Sequence, residues 1–222
     1  MTATVTPTVL PARALLLDMD GTLVNSDAVV ERIWRRWAER HGLDGDEVMQ
    51  VVHGRQGHAS MAVLLPGRPM EQNLADNARM LAEETADTDG VVEIAGAGAF
   101  LASLRGLPHA LVTSADVALS TARMNAAGLP LPEVRVTAES VGASKPDPEG
   151  FLKGAAELGV EPGDCVVFED SGAGIAAGRS AGMTVVGVGP RAGAHAPDVT
   201  VPDLTRVRAE AAGDGTIRVH IG

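Results

Sequence analysis

The stretch Asp18-Met19-Asp20-Gly21-Thr22 follows the short apolar run Ala14-Leu15-Leu16-Leu17, and together they indicate the fold class. The apolar run is too short to cross a membrane and predicts a buried β-strand. The two aspartates lie two positions apart, so their side chains start on the same face where that strand ends. Gly21 permits a sharp turn directly after them. Two neighbouring carboxylates repel each other unless a cation lies between them, which predicts a divalent metal with oxygen ligands, Mg²⁺.

Composition narrows the function classes. The 222 residues are 45% apolar, which supports a hydrophobic core, whereas the aromatic share is only 2%. A net charge of −11 disfavours nucleic acid or anionic membrane as a partner, because both need a basic surface. Cys165 is the single cysteine, which excludes an internal disulfide framework. Residues Met1 to Pro11 carry no basic or apolar signal segment, so we expect a cytoplasmic protein. A chain of this size is expected to act as a monomer.

The residues between 26 and 90 have helical periodicity and no strand pattern. Four helices are predicted there, at 26–41, 44–52, 57–64 and 70–86, with Ser26 as the first cap. After residue 90, strands alternate with helices. The predicted strands are 109–113, 134–137, 165–169 and 184–188, the predicted helices are 96–105, 116–127, 148–158 and 172–181, and an edge strand is expected over 216–221.

This alternation predicts an α/β fold with a Rossmann-like, doubly wound parallel sheet. We expect residues 1–25 and 91–222 to form the core and residues 26–90 to form a small helical domain inserted after the first strand. Ligand sites in open α/β sheets lie at the carboxyl ends of the strands. The polar residues expected at that edge are Asp18, Asp20, Thr113, Ser114, Lys145, Glu169 and Asp170. The insert leaves the sheet beside Asp20 and is placed to act as a lid.

Four short motifs occur in order along the chain. They are Asp18-Met19-Asp20-Gly21-Thr22, Val112-Thr113-Ser114, Ser144-Lys145-Pro146-Asp147-Pro148 and Phe168-Glu169-Asp170-Ser171-Gly172. In this order they resemble the haloacid dehalogenase (HAD) superfamily, and the insert resembles its small C1 cap. Residues 112–187 are further similar to bacterial sugar phosphatases and to the yeast 2-deoxyglucose-6-phosphate and glycerol-3-phosphate phosphatases.

The resemblance implies a Mg²⁺-dependent phosphatase for small phosphorylated sugars or polyols, acting through an aspartyl-phosphate. Asp18 would be the nucleophile and Asp20 the acid and base. The metal would be held by Asp18, by Asp20 through its carbonyl, and by Asp170, with Glu169 as a ligand or neighbour. Thr113, Ser114 and Lys145 would bind the phosphate, with Lys145 also neutralising the nucleophile.

The loop His53-Gly54-Arg55-Gln56 resembles the specificity loop of these phosphatases. Arg55 and His53 are therefore candidate substrate-binding residues, although Arg55 equally fits a solvated helix residue. By contrast, Trp34 and Trp37 lie at helical spacing, which favours packing inside the insert over a sugar-stacking platform.

Two other functions share this core. A phosphosugar mutase of the β-phosphoglucomutase type relies partly on a cap lysine, and residues 26–90 contain none. Arg68 or Arg79 remains a possible substitute for that lysine. A non-catalytic HAD-like binding protein would be expected to have lost the nucleophile or the acid, and this chain retains both.

Overall fold

A computed structural model describes residues 8–222, so the first seven residues of the predicted core segment 1–25 lie outside the described residues. The strands are β1 (Thr8–Ala12), β2 (Ala14–Leu17), β3 (Val24–Asn25), β4 (Val92–Glu93), β5 (His109–Val112), β6 (Val134–Val136), β7 (Cys165–Glu169), β8 (Thr184–Val188), β9 (Val199–Val201), β10 (Val207–Ala211) and β11 (Ile217–Ile221). The helices are α1 (Asp27–Arg40), α2 (Gly45–Val52), α3 (Gly57–Leu64), α4 (Met70–Ala86), α5 (Ala97–Ser103), α6 (Val117–Ala126), α7 (Glu149–Glu157), α8 (Gly172–Ser180) and α9 (Gly189–Ala192).

The central sheet has six strands in the order β6-β5-β2-β7-β8-β9, and every neighbouring pair is parallel. The strand order changes direction at β2, which pairs with β5 on one side and with β7 on the other. Ligands of such sheets bind outside the carboxyl ends of the strands at this point. The predicted α/β fold with a parallel sheet is confirmed.

Helices cover both faces of this sheet. Leu15 and Leu17 belong to one buried apolar cluster, and Leu16 between them belongs to a second cluster on the opposite face. Phe100 of α5 packs in the first cluster and Phe151 of α7 in the second. Alternating side chains of a fully buried strand therefore contribute to two hydrophobic layers, as a doubly wound fold requires.

The insert contains α1 to α4, and their bounds lie within a residue or so of the predicted helices. Trp37 is fully buried and Trp34 nearly so, and their rings lie edge to face with centroids 5.4 Å apart. Asp76 of α4 accepts hydrogen bonds from Trp37 Nε1 at 3.1 Å, from Arg68 and from Arg79. The tryptophans thus form the interior of the insert, as expected, around a buried carboxylate.

Two short strands flank the insert. β3 and β4 pair antiparallel through Val24 with Glu93 and Asn25 with Val92. This pairing brings the entry and exit of the insert side by side. Strands of two residues carry no periodicity, so the sequence did not predict them.

The prediction of an edge strand over 216–221 was wrong in its placement. β11 is the middle strand of a separate antiparallel sheet with the order β1-β11-β10. Pro11 masked β1 in the sequence, because proline disfavours strands except at an edge. In the structure β1 is an edge strand, with Pro11 opposite Arg218.

Among the described residues, no helix combines the length and apolar character needed to span a membrane.

Candidate active site

A buried lysine joins two buried carboxylates at the carboxyl end of the central sheet. Lys145 Nζ donates to Asp18 Oδ1 at 2.6 Å, to Glu169 Oε1 at 2.8 Å and to the Val112 carbonyl at 3.2 Å. These three acceptors satisfy all three ammonium protons. The two carboxylates offset the burial of the ammonium group, and the pKa of Lys145 is raised above its ordinary value. Asp18, Lys145 and Glu169, which were predicted to lie at this edge of the sheet, therefore contact one another.

The positive charge at this site does not fully compensate the buried carboxylates. Burial first, and the Glu169 carboxylate second, raise the pKa of Asp18 to about 7, although Lys145 opposes the shift. Burial together with the charges of Glu169 and Asp18 likewise raises the pKa of Asp170 well above its ordinary value. Lys145 and Arg191, the two cations in contact with Asp18, Glu169 and Asp170, thus do not offset the burial of Asp18 and Asp170.

The same carboxylates fit a divalent metal. One oxygen each of Asp18, Glu169 and Asp170 lies within 4.8 Å of the others, and all three residues are buried. Hard cations such as Mg²⁺ take oxygen ligands of this kind. The Asp20 side chain contributes no oxygen to this cluster.

Glu169 has a second set of partners. Its Oε2 accepts from Ser171 N at 2.7 Å and from Ser171 Oγ at 3.0 Å. Ser171 also caps α8 by accepting from Gly174 N. A Cβ at Gly174 would lie 1.7 Å from Glu169 Oε1, so glycine is required for the helix to approach this carboxylate.

Asp20 lies two residues beyond Asp18, and both of its carboxylate oxygens accept hydrogen bonds. Ser26 Oγ donates to Oδ1 at 2.7 Å, and Arg123 Nη1 donates to Oδ2 at 2.8 Å. Ser26 is the N-cap residue of α1, as predicted, but its hydroxyl bonds Asp20 and makes no cap hydrogen bond. Gly21 adopts φ 84°, the conformation that allows the chain to turn here.

The second predicted motif lies beside the nucleophile candidate. Thr113 follows β5 and is buried, and its hydroxyl accepts from Ala115 N at 3.1 Å. Ser114 Oγ donates to the Gly54 carbonyl at 3.0 Å. Both residues line a cavity of about 90 Å³ together with Asp18 and Asp20.

The loop at 53–56 closes this cavity from the insert. Gln56 N donates to Ser144 Oγ of the core at 2.8 Å. Gly54 adopts φ 77°, and a Cβ there would lie 1.9 Å from Ser171 Oγ. His53 and Arg55, the candidate substrate-binding residues, line the cavity. Burial first, and the Arg191 charge second, lower the pKa of His53, which favours the neutral imidazole.

Two arginines of the site were missed at the sequence level. Arg191 Nε donates to Asp170 Oδ2 at 2.8 Å, and its Nη1 lies 2.9 Å from Asp27 Oδ2 at the start of α1. Arg123 links Asp20 to Glu84 of α4. Neither arginine belongs to a motif, and the chain holds many other arginines. A usable signal existed in α4, whose buried positions are Asn73, Asp76, Met80 and Glu84. Polar residues on a buried helical stripe need partners.

Comparison with known proteins agrees with this geometry. A family model of haloacid dehalogenase-like hydrolases matches residues 12–182. Hexitol phosphatase A of Escherichia coli (strain K12) is 42% identical over 194 residues, covering 86% of this chain and 89% of that protein. 2-Deoxyglucose-6-phosphate phosphatase 2 of Saccharomyces cerevisiae is 31% identical, with 78% of each chain covered. The chain therefore belongs to the haloacid dehalogenase-like hydrolases.

A comparison with solved structures finds the same fold. The crystal structure of CbbY from Rhodobacter sphaeroides in complex with phosphate superposes with a TM-score of 0.72 at 21% identity. The match covers 87% of this chain and 95% of that one. The similarity to sugar phosphatases that the motifs suggested is confirmed by the relatives above.

Proposed function

We propose that this protein is a Mg²⁺-dependent phosphatase that hydrolyses small phosphorylated sugars or polyols. The observation that carries the proposal is the buried Lys145 bridge between Asp18 and Glu169, at the edge of a cavity that also exposes Asp20. A nucleophile, a fixed cation and a second carboxylate are what phosphoryl transfer needs from a protein. The sugar and polyol phosphatases among the relatives support this substrate class.

The proposed hydrolysis has two steps, in which Asp18, Asp20 and Lys145 have separate roles. In the first, a carboxylate oxygen of Asp18 bonds to phosphorus, the bond to the ester oxygen breaks, and Asp20 gives its proton to the leaving alkoxide. In the second, Asp20 takes a proton from water, the water oxygen bonds to phosphorus, and Asp18 is released with inorganic phosphate. Lys145 holds Asp18 in place and balances charge on the transferred group.

The phosphate would sit against the second motif. Thr113 and Ser114 border the cavity next to Asp18, and we assign them to the non-bridging oxygens of the phosphoryl group. Asp18 and Asp170, with Glu169 beside them and the Asp20 carbonyl, would hold Mg²⁺, which when bound neutralises the phosphate and the clustered carboxylates. His53 and Arg55 face the part of the cavity that the sugar or polyol would occupy.

The structure weighs against a mutase. Arg68 and Arg79, the two candidates to replace a cap lysine, are both bound to Asp76 inside the insert. Neither lines the cavity that contains Asp18 and Asp20. The residues 26–90 contain no lysine, so the distal phosphate of a bisphosphate would lack that cation. Hydrolysis is therefore favoured over phosphoryl return to the sugar.

We also propose the division into a core, residues 1–25 and 91–222, and a cap, residues 26–90. The antiparallel pairing of β3 with β4 supports it, because the chain enters and leaves the insert at one place. Action as a cytoplasmic monomer on a small phosphate ester, without nucleic acid or membrane partners, stays a prediction from the composition.

The test is a panel of phosphorylated metabolites compared by kcat/KM, with hexitol phosphates, glycerol phosphates and glucose 1-phosphate included. Free phosphate should be the product with hexitol or sugar phosphates preferred, and excess EDTA should stop its release. Conversion of glucose 1-phosphate to an isomer without free phosphate would contradict the proposal. Asp18→Asn is the control for contaminating phosphatases.

A further inference from the structure

Arg123 of α6 is a buried arginine that touches two carboxylates from different parts of the chain. Its side chain is 3% exposed. Nη1 lies 2.8 Å from Asp20 Oδ2, and Nη2 lies 2.5 Å from Glu84 Oε2. Asp20 belongs to the active-site loop after β2, whereas Glu84 lies near the end of α4 in the insert. One guanidinium group therefore connects the acid–base candidate to the insert.

The connection restrains Asp20 on both sides. Ser26, at the entry to the insert, holds Oδ1 of the carboxylate, and Arg123 holds Oδ2. The Asp20 side chain is 30% exposed and faces the cavity, so packing alone does not fix its orientation. A carboxylate that must hand a proton to an ester oxygen has to lie within hydrogen-bond reach at a set angle. Its two partners supply that angle.

If Arg123 only stabilised the packing of the insert against the core, an ion pair with Glu84 would be sufficient. The α4 and α6 helices pack together, and an arginine–glutamate pair between them would hold that contact. The guanidinium is instead shared, and its Nε is buried with no hydrogen-bond partner among the residues that the structure describes. A buried donor without a partner destabilises the fold. The two terminal nitrogens are thus directed at Asp20 and Glu84 at the expense of Nε.

We propose that Arg123 is the positioning residue of Asp20, and that Glu84 fixes the orientation of Arg123 from the insert. The acid–base carboxylate is then correctly aimed only while α4 lies against α6. This inference rests on the proposed function, because it assigns Asp20 the proton transfer to the leaving group. Arg123 and Glu84 both line the cavity, but the guanidinium donates to Asp20 and Glu84, so we assign its contribution to the orientation of Asp20.

The leaving group provides the diagnostic. An alkoxide is a poor leaving group and needs the proton from Asp20, whereas p-nitrophenolate departs without one. Loss of positioning should therefore lower kcat for a polyol monophosphate far more than kcat for p-nitrophenyl phosphate. A residue that only stabilises the fold would lower both rates together.

The experiment compares Arg123→Met, Glu84→Gln and the double variant on these two substrates. Arg179→Met, an exposed arginine near the end of α8, is the matched control. We expect Arg123→Met to lower the ratio of the polyol rate to the aryl rate by about 10-fold or more, within the range of positioned proton transfer. Glu84→Gln should lower the ratio less. In the double variant Glu84→Gln should add nothing, because it acts through Arg123.

The inference would be overturned if Arg123→Met lowered the rates on both substrates equally. It would also be overturned if the two single substitutions lowered the rate ratio by factors that multiply in the double variant. Should Arg123→Met fail to fold because it leaves Glu84 buried and unpaired, Glu84→Gln and the double variant, which removes both charges, decide the question. Wild-type protein that releases no phosphate from any ester would contradict the proposed function itself, and this inference with it. Wild-type turnover with an unchanged substrate ratio in the variants would overturn only the role of Arg123.

Discussion

The ammonium group of Lys145 lies 2.6 Å from Oδ1 of Asp18, and both side chains are buried. Because Glu169 also accepts from this ammonium group, Lys145 is the fixed cation for two carboxylates at the carboxyl end of the sheet. The nucleophile candidate is thus oriented by a charge that belongs to the protein.

Lys145→Met should abolish this orientation and leave two buried carboxylates unpaired. We expect kcat for an aryl phosphate to fall by about 10²–10³-fold, the scale of losing one preorganised charge. The free energy of unfolding should also fall, by about 3 kcal/mol. Lys153→Met is the matched control, because Lys153 is the other lysine and is exposed in a surface pair with Glu157. Equal effects of the two substitutions would contradict the role of Lys145.

The raised pKa of Asp18 predicts a pH-dependent stability for the protein without metal. The folded-state pKa is about 7 against an ordinary 3.8, so the folded state binds more protons than the unfolded state between these values. Stability should therefore decrease as pH rises from about 4 to about 7, by about 2–4 kcal/mol. Chemical denaturation in EDTA measures this slope. Asp18→Asn should flatten it, and an unchanged slope in that variant would assign the effect to other groups.

Asp76 should hold the insert together. Hydrogen bonds from Trp37, Arg68 and Arg79, together with the charge of Arg68, lower the pKa of Asp76 to about 2 against the effect of burial. Asp76→Asn should cost about 2 kcal/mol or more at neutral pH, and the loss should shrink as pH falls towards 2. Asp46→Asn breaks an exposed pair with Arg35 and should change the free energy of unfolding much less than Asp76→Asn. Denaturant unfolding of both variants provides the comparison.

The Gly54 turn should determine how closely the insert packs against the core. Gly54→Ala introduces a Cβ that would lie 1.9 Å from Ser171 Oγ, at a φ of 77°. We expect kcat/KM for a polyol phosphate to fall by about 10- to 100-fold, because the loop carrying His53 and Arg55 is displaced. Gly42→Ala has a similar φ of 66° with nothing within 4 Å, so it should lose about 1 kcal/mol of stability and keep its kinetics. Kinetic losses of equal size in both variants would contradict this account.

Local signals explain what the sequence predicted well. The predicted helices of the insert match α1 to α4 because local signals bound them: Gly42 follows α1 with a positive φ, and Asp44 caps α2 by accepting from Asp46 N. Asp18, Lys145 and Asp170 lie in short motifs, each at the end of a strand or on a loop of the same edge. Residues with such neighbours can be placed from sequence, because the topology of a parallel sheet brings strand ends together.

Residues that act across long separations were not predictable in this way. Arg123 meets Asp20 from 103 positions away, and Arg191 meets Asp27 from 164 positions away. Each arginine has an ordinary helical setting, so only the three-dimensional packing reveals its partner. Glu84 was likewise not predicted, although the polar residues Asn73, Asp76 and Glu84 recur at helical spacing in α4 and could have indicated a missing partner.

The central claim is that Asp18 bonds covalently to phosphorus during turnover. Asp20→Asn removes the base that activates water, so incubation of this variant with p-nitrophenyl phosphate and Mg²⁺ should trap the aspartyl-phosphate. Intact-mass spectrometry of the quenched protein should show one added phosphoryl group, and peptide mapping should place it on Asp18. The Asp18→Asn,Asp20→Asn double variant should show none. Turnover by Asp18→Asn itself, or an adduct on another residue, would contradict the account.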